Sequence, residues 1–562
     1  MKSNWAKWLL ILVGSVTWSL TMVRSGLSYS FGIGFWGANG HDGIWHLALI
    51  KSLANGSFQM PVFSGWNIQN YHIGFDLLLS WVVRLTKVSP SLLYFQIVPP
   101  VLAVLIGLLT YKFVYFWRKS KEESLLATFF VYFGGSFGWL VSLISGQGWG
   151  GESMFWSQQS ISTLINPPFA LSLITILTGL IFLKKYLEKR SLFNFGFATF
   201  FFGISIFIKV YAGLLVMSSL VAVSIWQIIK KREFSLLGLT LISGVVSVLL
   251  FVPFNKSSIN LISFSPFWFL ESLMALPDRV GWWKMYSAMT TYKMGHIWFK
   301  AVLAYLTVFL IFIVGNFSTR IIALGAILKK PKKLLSAGPI EIFLFILILA
   351  GIVVPMFFVQ EGVPWNTIQF FYYSLIFGGI VAGIETGNVF KGVAGLARKF
   401  AMGLFVVFTI PTTIISLGNY LPPNPQSMLP AGEMEALGFL SVQPSGVVLT
   451  YPCNPVKINK LIAPIPLYLY TTTAYVSAFS GKPVFLEDQT NLDIMQYPWA
   501  ERRQSVENFL STSNIKDAKD FLKSNNITYI YWLNEQQARL SSVELGLKQI
   551  FQNGSVTIFK VD

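Results

Sequence analysis

The sequence has little acid and almost no cysteine. It contains 24 aspartates and glutamates in 562 residues, and charged residues of both signs make up 12% of the chain, about half the usual share in a globular protein. The single cysteine, Cys453, excludes an intrachain disulfide. A glycine-rich phosphate loop, a zinc-type Cys/His set and a Ser-His-Asp elbow are also missing, which argues against an ATP-driven pump.

What the chain has instead is apolar surface, since 54% of its residues are hydrophobic. Apolar runs of about 20 residues recur along the first 420 positions, and each can cross a hydrocarbon core of roughly 30 Å. This pattern predicts a polytopic all-α membrane domain. The net charge of +18 does not indicate nucleic acid as a partner, because the basic residues mostly flank the apolar runs as cytoplasmic anchors facing membrane lipids.

Six clusters of lysine and arginine flank the apolar runs and indicate how these runs are oriented in the membrane. If all six are cytoplasmic, an even number of crossings separates each cluster from the next. Eleven transmembrane helices then fit, with a cytoplasmic N-terminus, a C-terminus outside, and the first run retained rather than cleaved as a signal peptide. They are predicted near residues 5–23, 92–117, 124–145, 166–184, 192–208, 211–229, 235–253, 299–317, 340–357, 368–386 and 401–418.

Two segments do not read as membrane spans. Residues 73–87 are short and carry Asp76, Arg84 and Lys87, which predicts an amphipathic or re-entrant helix at the outer interface. Residues 421–562 alternate short helix and strand patterns, which predicts a soluble extracytoplasmic α/β domain. We therefore expect a membrane domain over residues 1–420, with a first external loop at 24–91, followed by this C-terminal domain.

Ionisable residues are concentrated in that first external loop. Three of the four histidines, His41, His46 and His72, lie close in sequence to Asp42. Apolar residues at helical spacing after Gly43 predict a helix that ends near residue 55, with Asp42 and His46 on one face at its start.

Three roles for Asp42 fit this pattern. A carboxylate at a helix N-terminus stays ionised, as a general base for a hydroxyl group must be. With a histidine four residues on, it can equally bind a divalent cation. Asp is also a favoured N-cap. For His46 the alternative is an interfacial histidine bonded to a backbone carbonyl, and for His72 it is a place in a membrane-surface aromatic anchor.

Other candidate substrate-binding residues lie on the predicted outer side. Lys209 separates two apolar runs at an outer turn, where a lipid phosphate is a natural partner; the alternative is a snorkelling lysine. Arg279 and Lys284 lie near tryptophans in the sequence, and these tryptophans can stack on a sugar. The alternative is that the tryptophans belong to an interfacial helix. Glu361 and Asn366 occupy a short outer turn.

The loop sequence resembles a known family. The stretch Asp42-Gly43-Ile44-Trp45-His46 up to Gly56, followed by Tyr71-His72-Ile73-Gly74-Phe75-Asp76, is similar to the first external loop of GT-C superfamily glycosyltransferases, especially the protein O-mannosyltransferase and aminoarabinose-transferase branch. The resemblance implies a multi-pass enzyme in the plasma membrane of a prokaryote. It also implies a polyprenyl-phosphate sugar donor, a glycan, lipid or protein acceptor, inversion at the anomeric carbon, and Asp42 as the catalytic base.

One departure from the family pattern concerns the second acid. Many relatives have an acid directly after the aspartate, where this chain has Gly43. Candidates elsewhere are Glu152, Glu271, Asp278, Glu361 and, less favoured, Asp76. No cofactor or metal ligand is assigned, although a divalent cation is compatible with the pattern. Two alternatives stay open: a transporter or flippase of lipid-linked sugars, and a catalytically inactive assembly protein of the same fold.

Overall fold

The computed structural model describes residues 4–146, 148–255, 262–329, 337–361, 363–393, 395–452, 462–470 and 473–562. The chain forms two compact units. The first comprises Met1–Thr21, Pro100–Pro253 and Ser258–Asn419, and the second comprises Met22–Pro99, Phe254–Ser257 and Tyr420–Asp562. One break between the units lies between Asn419 and Tyr420, while the division into a membrane domain and a soluble C-terminal domain stays a prediction. The first external loop, which we assigned to the membrane domain, instead folds with the C-terminal residues.

Helices occupy all eleven segments predicted to cross the membrane. Within the described residues, eight are long and apolar enough to do so by length and composition. These eight are Pro90–Arg118, Pro167–Lys189, Val210–Lys231, Ser235–Phe254, Trp298–Gly325, Pro339–Phe357, Pro364–Lys391 and Gly395–Gly418. The protein is therefore a multi-pass membrane protein, while the count of eleven spans stays a prediction.

The other three segments are shorter or bent. Asn4–Ser19 has 16 residues and Leu192–Ile208 has 17. In the third, Lys121–Phe133 and Gly138–Ile144 meet at an angle of 52°. The helix breaks after Phe133 at two glycines that pack tightly. A Cβ atom on Gly135 would lie 2.8 Å from the carbonyl oxygen of Thr409, so this position has no room for a side chain.

Small and hydroxylic residues bring the helices of the first unit together. A Cβ atom on Gly383 would lie 2.2 Å from the backbone nitrogen of Ala127. The Ser172 and Tyr373 hydroxyl groups lie 2.7 Å apart. Close backbone approach and interhelical hydrogen bonds of this kind are how helices associate in lipid. The segment between Ser235–Phe254 and Trp298–Gly325 contains the helices Trp268–Ala275 and Trp283–Met294, and its strand Ile262–Phe264 pairs with Phe358–Gln360.

The second unit contains two four-stranded sheets. The first sheet has the strand order Ser28–Tyr29, Gly32–Phe35, Ser427–Pro430 and Ile465–Pro466. The second sheet has the order Val447–Thr450, Ile527–Leu533, Val556–Lys560 and Lys548–Gln552. Strand-like patterns at residues 446–450, 527–532 and near 556–561 predict three of the strands of the second sheet, whereas Lys548–Gln552 was missed. The first sheet explains why the external loop folds with the C-terminal residues, because Gly32–Phe35 pairs antiparallel with Ser427–Pro430.

Helices surround these sheets in the second unit. The longer ones are Asp42–Ala54, Gly74–Thr86, Ala431–Val442, Trp499–Ser511 and Ile515–Ser524, and shorter ones are Tyr475–Ser480, Gln489–Ile494 and Ser542–Leu545. The helix predicted at 73–87 is observed as Gly74–Thr86, with one face buried and apolar side chains exposed on another. Phe75, Asp76 and Leu79 are buried, whereas Leu78, Trp81 and Leu85 are exposed. Its location at a membrane interface stays a prediction.

The helix Asp42–Ala54 is more buried than its apolar stripe predicts. Every residue from Gly43 to Ile50 is buried. The helices Gly74–Thr86 and Tyr475–Ser480 pack against it, so more than one face is covered. The apolar spacing after Gly43 predicts the helix but does not show which later segment returns to cover it.

Candidate functional site

Asp42 is the first residue of its helix. The N-cap position belongs to His41, whose side chain makes no capping hydrogen bond. The Asp42 side chain is 54% exposed, so a solute can reach its carboxylate. The positive end of the helix dipole favours the charged form of an acid in this position. The helix therefore presents an ionised, accessible carboxylate, which suits the role predicted from sequence.

His41 joins Asp42 to a second acid. Its Nδ1 atom lies 2.9 Å from Oδ1 of Asp42, and its Nε2 atom lies 3.4 Å from Oδ1 of Asp488. The Asp488 side chain is fully buried. It also caps the helix Gln489–Ile494, because its Oδ1 accepts a hydrogen bond from the backbone N–H of Asn491 at 3.2 Å. We call His41, Asp42 and Asp488 the His41 triad.

The charge of His41 follows from these two contacts. Burial lowers its pKa, but the charge of Asp488 and the hydrogen bond with Asp42 outweigh burial and raise the pKa well above its ordinary value. His41 is therefore an imidazolium at neutral pH. The cation lies between the two carboxylates and contacts both of them.

Asp488 was missed in the sequence analysis. It follows Glu487 directly, and two adjacent acids are unusual in a chain this poor in acid. That pairing is the one signal that could have singled it out. Its contact with His41 depends on how distant segments of the chain pack, which a sequence pattern does not reveal.

A second acid–histidine pair is buried in the same unit. His46 Nδ1 lies 2.7 Å from Asp76 Oδ1, and Asp76 has no exposed surface. The His46 ring stacks on Tyr94 with centroids 5.5 Å apart. Asp76 Oδ2 has no hydrogen-bond partner within the described part of the chain. Asp76, the least favoured second acid, is thus the partner of His46, which was predicted to bind substrate.

His72 lies just before this pair in the chain. Its ring stacks on Tyr71 with centroids 4.6 Å apart. Burial raises the pKa of Tyr71 well above its ordinary value, and the charges of Asp76 and Asp42 raise it further. Tyr71 is therefore within electrostatic range of both acids. His72 is half-buried, and its predicted contact with substrate stays a prediction.

Lys209 belongs to a polar cluster in the first unit. It is 5% exposed, so it does not snorkel. Its Nζ atom lies 3.4 Å from Oδ1 of Asn166. Asn166 also contacts Gln369 at 3.4 Å, and Gln369 donates to Oδ1 of Asn366 at 3.1 Å. The structure thus brings together two predicted ligands, Lys209 and Asn366, in what we call the Lys209 cluster.

The Lys209 cluster lies where three helices begin. Asn166 caps Pro167–Lys189, Lys209 immediately precedes Val210–Lys231, and Gln369 starts Gln369–Lys391. Helix N-termini carry partial positive charge from their unsatisfied backbone N–H groups. Together with the lysine, they form a site that favours an anion.

Arg279 has extensive protein contacts of its own. It is 1% exposed, and its guanidinium lies between the rings of Trp156 and Trp365, at 4.4 and 4.0 Å from their centroids. It also donates to Ser272 Oγ at 2.8 Å. Burial lowers its pKa to about 10. Lys284 is exposed. The roles of both residues in substrate binding stay predictions.

The other candidate acids lie in the first unit. Glu152 accepts hydrogen bonds from Ser162 Oγ and from the backbone N–H of Gln159, and burial raises its pKa to about 7. Glu271 pairs with Lys293 at 2.9 Å. Glu361 is exposed. Asp278 accepts from Trp156 Nε1 at 3.0 Å.

Among the described residues, no three or more His, Cys, Asp or Glu side chains are grouped so that they could hold a metal ion. The two carboxylates of the His41 triad bind the imidazole between them. We therefore derive no chemical step through a metal, and a requirement for a divalent cation stays a prediction.

No protein-family model and no curated protein matches the sequence. Solved structures do match. The Archaeoglobus fulgidus oligosaccharyltransferase tethered to an acceptor peptide has a TM-score of 0.52 at 13% identity, over 95% of this chain and 69% of that one. AglB from the same organism, with an inhibitory peptide and a dolichol-phosphate, has a TM-score of 0.51 at 12% identity, over 94% and 69%.

A mycobacterial enzyme shows the same likeness. The arabinofuranosyltransferase AftD has a TM-score of 0.50 at 11% identity, over all of this chain and 40% of its own. These neighbours are GT-C glycosyltransferases, and identities this low concern the fold alone. The protein thus has the fold of the GT-C superfamily, as the resemblance of its first external loop predicts, and its branch within that superfamily stays a prediction.

Proposed function

We propose that the protein is a membrane glycosyltransferase that moves a sugar from a polyprenyl-phosphate donor to an acceptor hydroxyl group on the outer membrane face. The observation that carries this proposal is the exposed Asp42 carboxylate at a helix N-terminus, held by the His41 imidazolium. The GT-C fold supports glycosyl transfer as the reaction class. A peptide acceptor and a dolichol-phosphate are bound in two of the structural neighbours, which supports a lipid phosphate as a ligand.

The proposed reaction is a single displacement. Asp42 removes the proton from the acceptor hydroxyl, and the resulting oxygen nucleophile attacks the anomeric carbon of the donor sugar. The bond from that carbon to the phosphate oxygen breaks, and its electron pair leaves with the polyprenyl phosphate. Attack opposite the leaving group inverts the anomeric configuration. His41 does not give up its proton; it holds the carboxylate in position.

The Lys209 cluster is the proposed site for the donor phosphate. Its lysine is buried and three helices begin around it, so an anion there would gain both a point charge and favourable helix dipoles. The amides of Asn166, Asn366 and Gln369 would donate hydrogen bonds to phosphate oxygens.

Purified protein supplied with labelled polyprenyl-phosphate sugars and acceptor extracts tests the proposal. We expect Asp42→Asn to reduce transfer by about 10²- to 10⁴-fold, the usual contribution of a general base. Asp517→Asn is the matched control, because Asp517 is an exposed aspartate in the first turn of another helix of the same unit, and it should retain activity. Near-normal transfer by Asp42→Asn would overturn the proposal, and donor transport without sugar transfer would favour the flippase alternative.

A further inference from the structure

The second unit contains a cavity of about 490 Å³. This lies within the range of roughly 300–1,000 Å³ that is usual for small-molecule sites. The helix Ala431–Val442, the second sheet and the segment after Phe485 all contribute to its wall. Asp488, which holds His41, is one of the lining residues. The exposed carboxylate of Asp42 is not among them.

The described wall of this cavity is acidic. Four carboxylates line it, and none of the described lining residues is Lys, Arg or His. The acids are Glu433, Glu487, Asp488 and Glu535. The whole chain has 42 basic and 24 acidic residues, so this wall runs against the overall charge. A phosphate or another anion would be repelled, because like charges in a partly desolvated site interact strongly.

One oxygen atom of a lining acid has no hydrogen-bond partner in the described part of the chain. Glu433 is 1% exposed, and its Oε2 atom accepts from the Tyr531 hydroxyl at 3.2 Å. Its Oε1 atom has no hydrogen-bond partner among the residues that the structure describes. By contrast, both oxygens of Glu487 accept backbone N–H groups, at 2.9 and 3.0 Å. A buried acceptor without a donor is costly, so the cavity suits a ligand that donates hydrogen bonds.

Aromatic hydroxyl groups complete the wall. Tyr451, Tyr468, Tyr475 and Tyr531 line the cavity together with the amides of Gln489, Asn534 and Gln536. Tyrosine faces attract cations through the ring quadrupole, and the hydroxyl and amide groups can bond a polar carrier. A purely apolar ligand would leave these groups without partners.

We propose that this cavity binds a primary ammonium group on a polar carrier, such as an amino sugar or a lysine side chain. The ammonium donates three hydrogen bonds. Its charge also favours the ionised forms of Glu433 and Glu487, whose pKa burial raises to about 7 and about 8. This inference does not rest on the proposed glycosyl transfer, because it concerns a cavity that Asp42 does not line. Since Asp488 belongs both to the cavity wall and to the His41 triad, a ligand bound there would contact the residue that positions His41.

Binding to the full-length protein in nanodiscs tests the proposal by isothermal titration calorimetry. Two pairs of probes separate the carriers: glucosamine against N-acetylglucosamine, and a lysine tripeptide against its acetyl-lysine form. We expect at least one charged probe to bind about tenfold or more tightly than its neutral counterpart. Equal binding within both pairs, or preferred binding of glucose 6-phosphate, would overturn the proposal.

Two variants locate the binding. Glu433→Gln should lower the affinity for the charged probe about tenfold. Glu535→Gln, at an exposed position of the wall, should lower this affinity less. Glu435→Gln is the matched control, because Glu435 is on the same helix as Glu433 but is exposed and does not line the cavity. The Asp42→Asn variant should bind the probe normally, so a negative result in the sugar-transfer assay does not contradict the binding proposal. Unchanged affinity in both Glu433→Gln and Glu535→Gln, with normal thermal unfolding, would contradict the assignment.

Discussion

The Nε2 atom of His41 lies 3.4 Å from Oδ1 of Asp488. These residues come from distant parts of the chain, one in the first external loop and the other in the C-terminal segment. Because the other ring nitrogen of His41 contacts Asp42, the orientation of the exposed carboxylate depends on a residue that does not itself reach the substrate. Asp488 is therefore a positioning residue for the proposed reaction.

Asp488→Asn should lower kcat by on the order of tenfold, less than the loss expected for Asp42→Asn. The KM values should change little, because the variant weakens the orientation of the base rather than the binding of either substrate. Loss of the Asp488 charge also lowers the pKa of His41, so the pH–rate profile should shift along the pH axis. Steady-state kinetics over a pH series measures both effects. A merely structural role for Asp488 would lower the amount of folded enzyme without moving the profile.

The raised pKa of His41 predicts how stability depends on pH. Its folded-state pKa is above the unfolded value of 6.5, so its contribution is complete below about pH 6.5 and is lost as pH rises through the folded pKa. We expect the free energy of unfolding to fall from about pH 6.5 upward, and His41→Gln to flatten that fall. Denaturant titrations monitored by tryptophan fluorescence at several pH values give the comparison. An unchanged slope in His41→Gln would contradict the imidazolium assignment.

Two buried acids in the same unit also make the free energy of unfolding fall as pH rises, over a lower pH range than His41. Burial raises the pKa of Glu433 to about 7 and that of Glu487 to about 8. Both groups hold their protons more tightly when folded, so stability falls as pH rises between about 4.5 and these values. Glu433→Gln should reduce this part of the slope, whereas the exposed control Glu435→Gln should not. The same denaturant series, extended down to about pH 5, distinguishes these groups from His41.

The buried His46–Asp76 pair should behave as one energetic unit. Either Asp76→Asn or His46→Gln should destabilise the protein by roughly 1–3 kcal/mol, since each leaves a buried polar group without its partner. The double variant should lose less than the sum of the two. Equilibrium unfolding of the four proteins completes the cycle. Additive losses would show that the 2.7 Å contact contributes little.

Lys209→Gln should raise the KM for the donor by about tenfold while changing kcat less, because a point charge on the phosphate is lost. Lys300→Gln is the control, since Lys300 is an exposed lysine near the start of another helix of the first unit. Steady-state kinetics at fixed acceptor concentration separates the two parameters. An unchanged donor KM would contradict the proposal that the Lys209 cluster binds the donor phosphate.

The elements with regular patterns could be predicted from the sequence. Helices were observed wherever the apolar runs predicted them, and the pattern after Gly43 located the helix of Asp42, because length and periodicity are local properties. The partners of Asp42 and His46 could not be predicted. Asp488 reaches His41, and Asp76 reaches His46, through contacts between separate segments, and neither pairing has a characteristic spacing in the sequence.

The buried state of Lys209 illustrates the same limit. Its flanking apolar runs fit equally a snorkelling side chain at the membrane surface and one enclosed among helices. The structure decides between them through Asn166 and Gln369, which come from two other helices. Sequence alone does not show which polar residues meet at the ends of neighbouring helices.

The pairing of Gly32–Phe35 with Ser427–Pro430 has a consequence for biosynthesis. A ribosome releases the loop that carries Asp42 early, yet the strand that pairs with it and the aspartate that holds His41 are translated only near the end. A nascent chain can therefore insert its membrane helices while its reactive loop is still unfolded. In the proposed mechanism, Asp42 is held in position only once translation has passed residue 488, so a chain that stops earlier would lack the His41 triad.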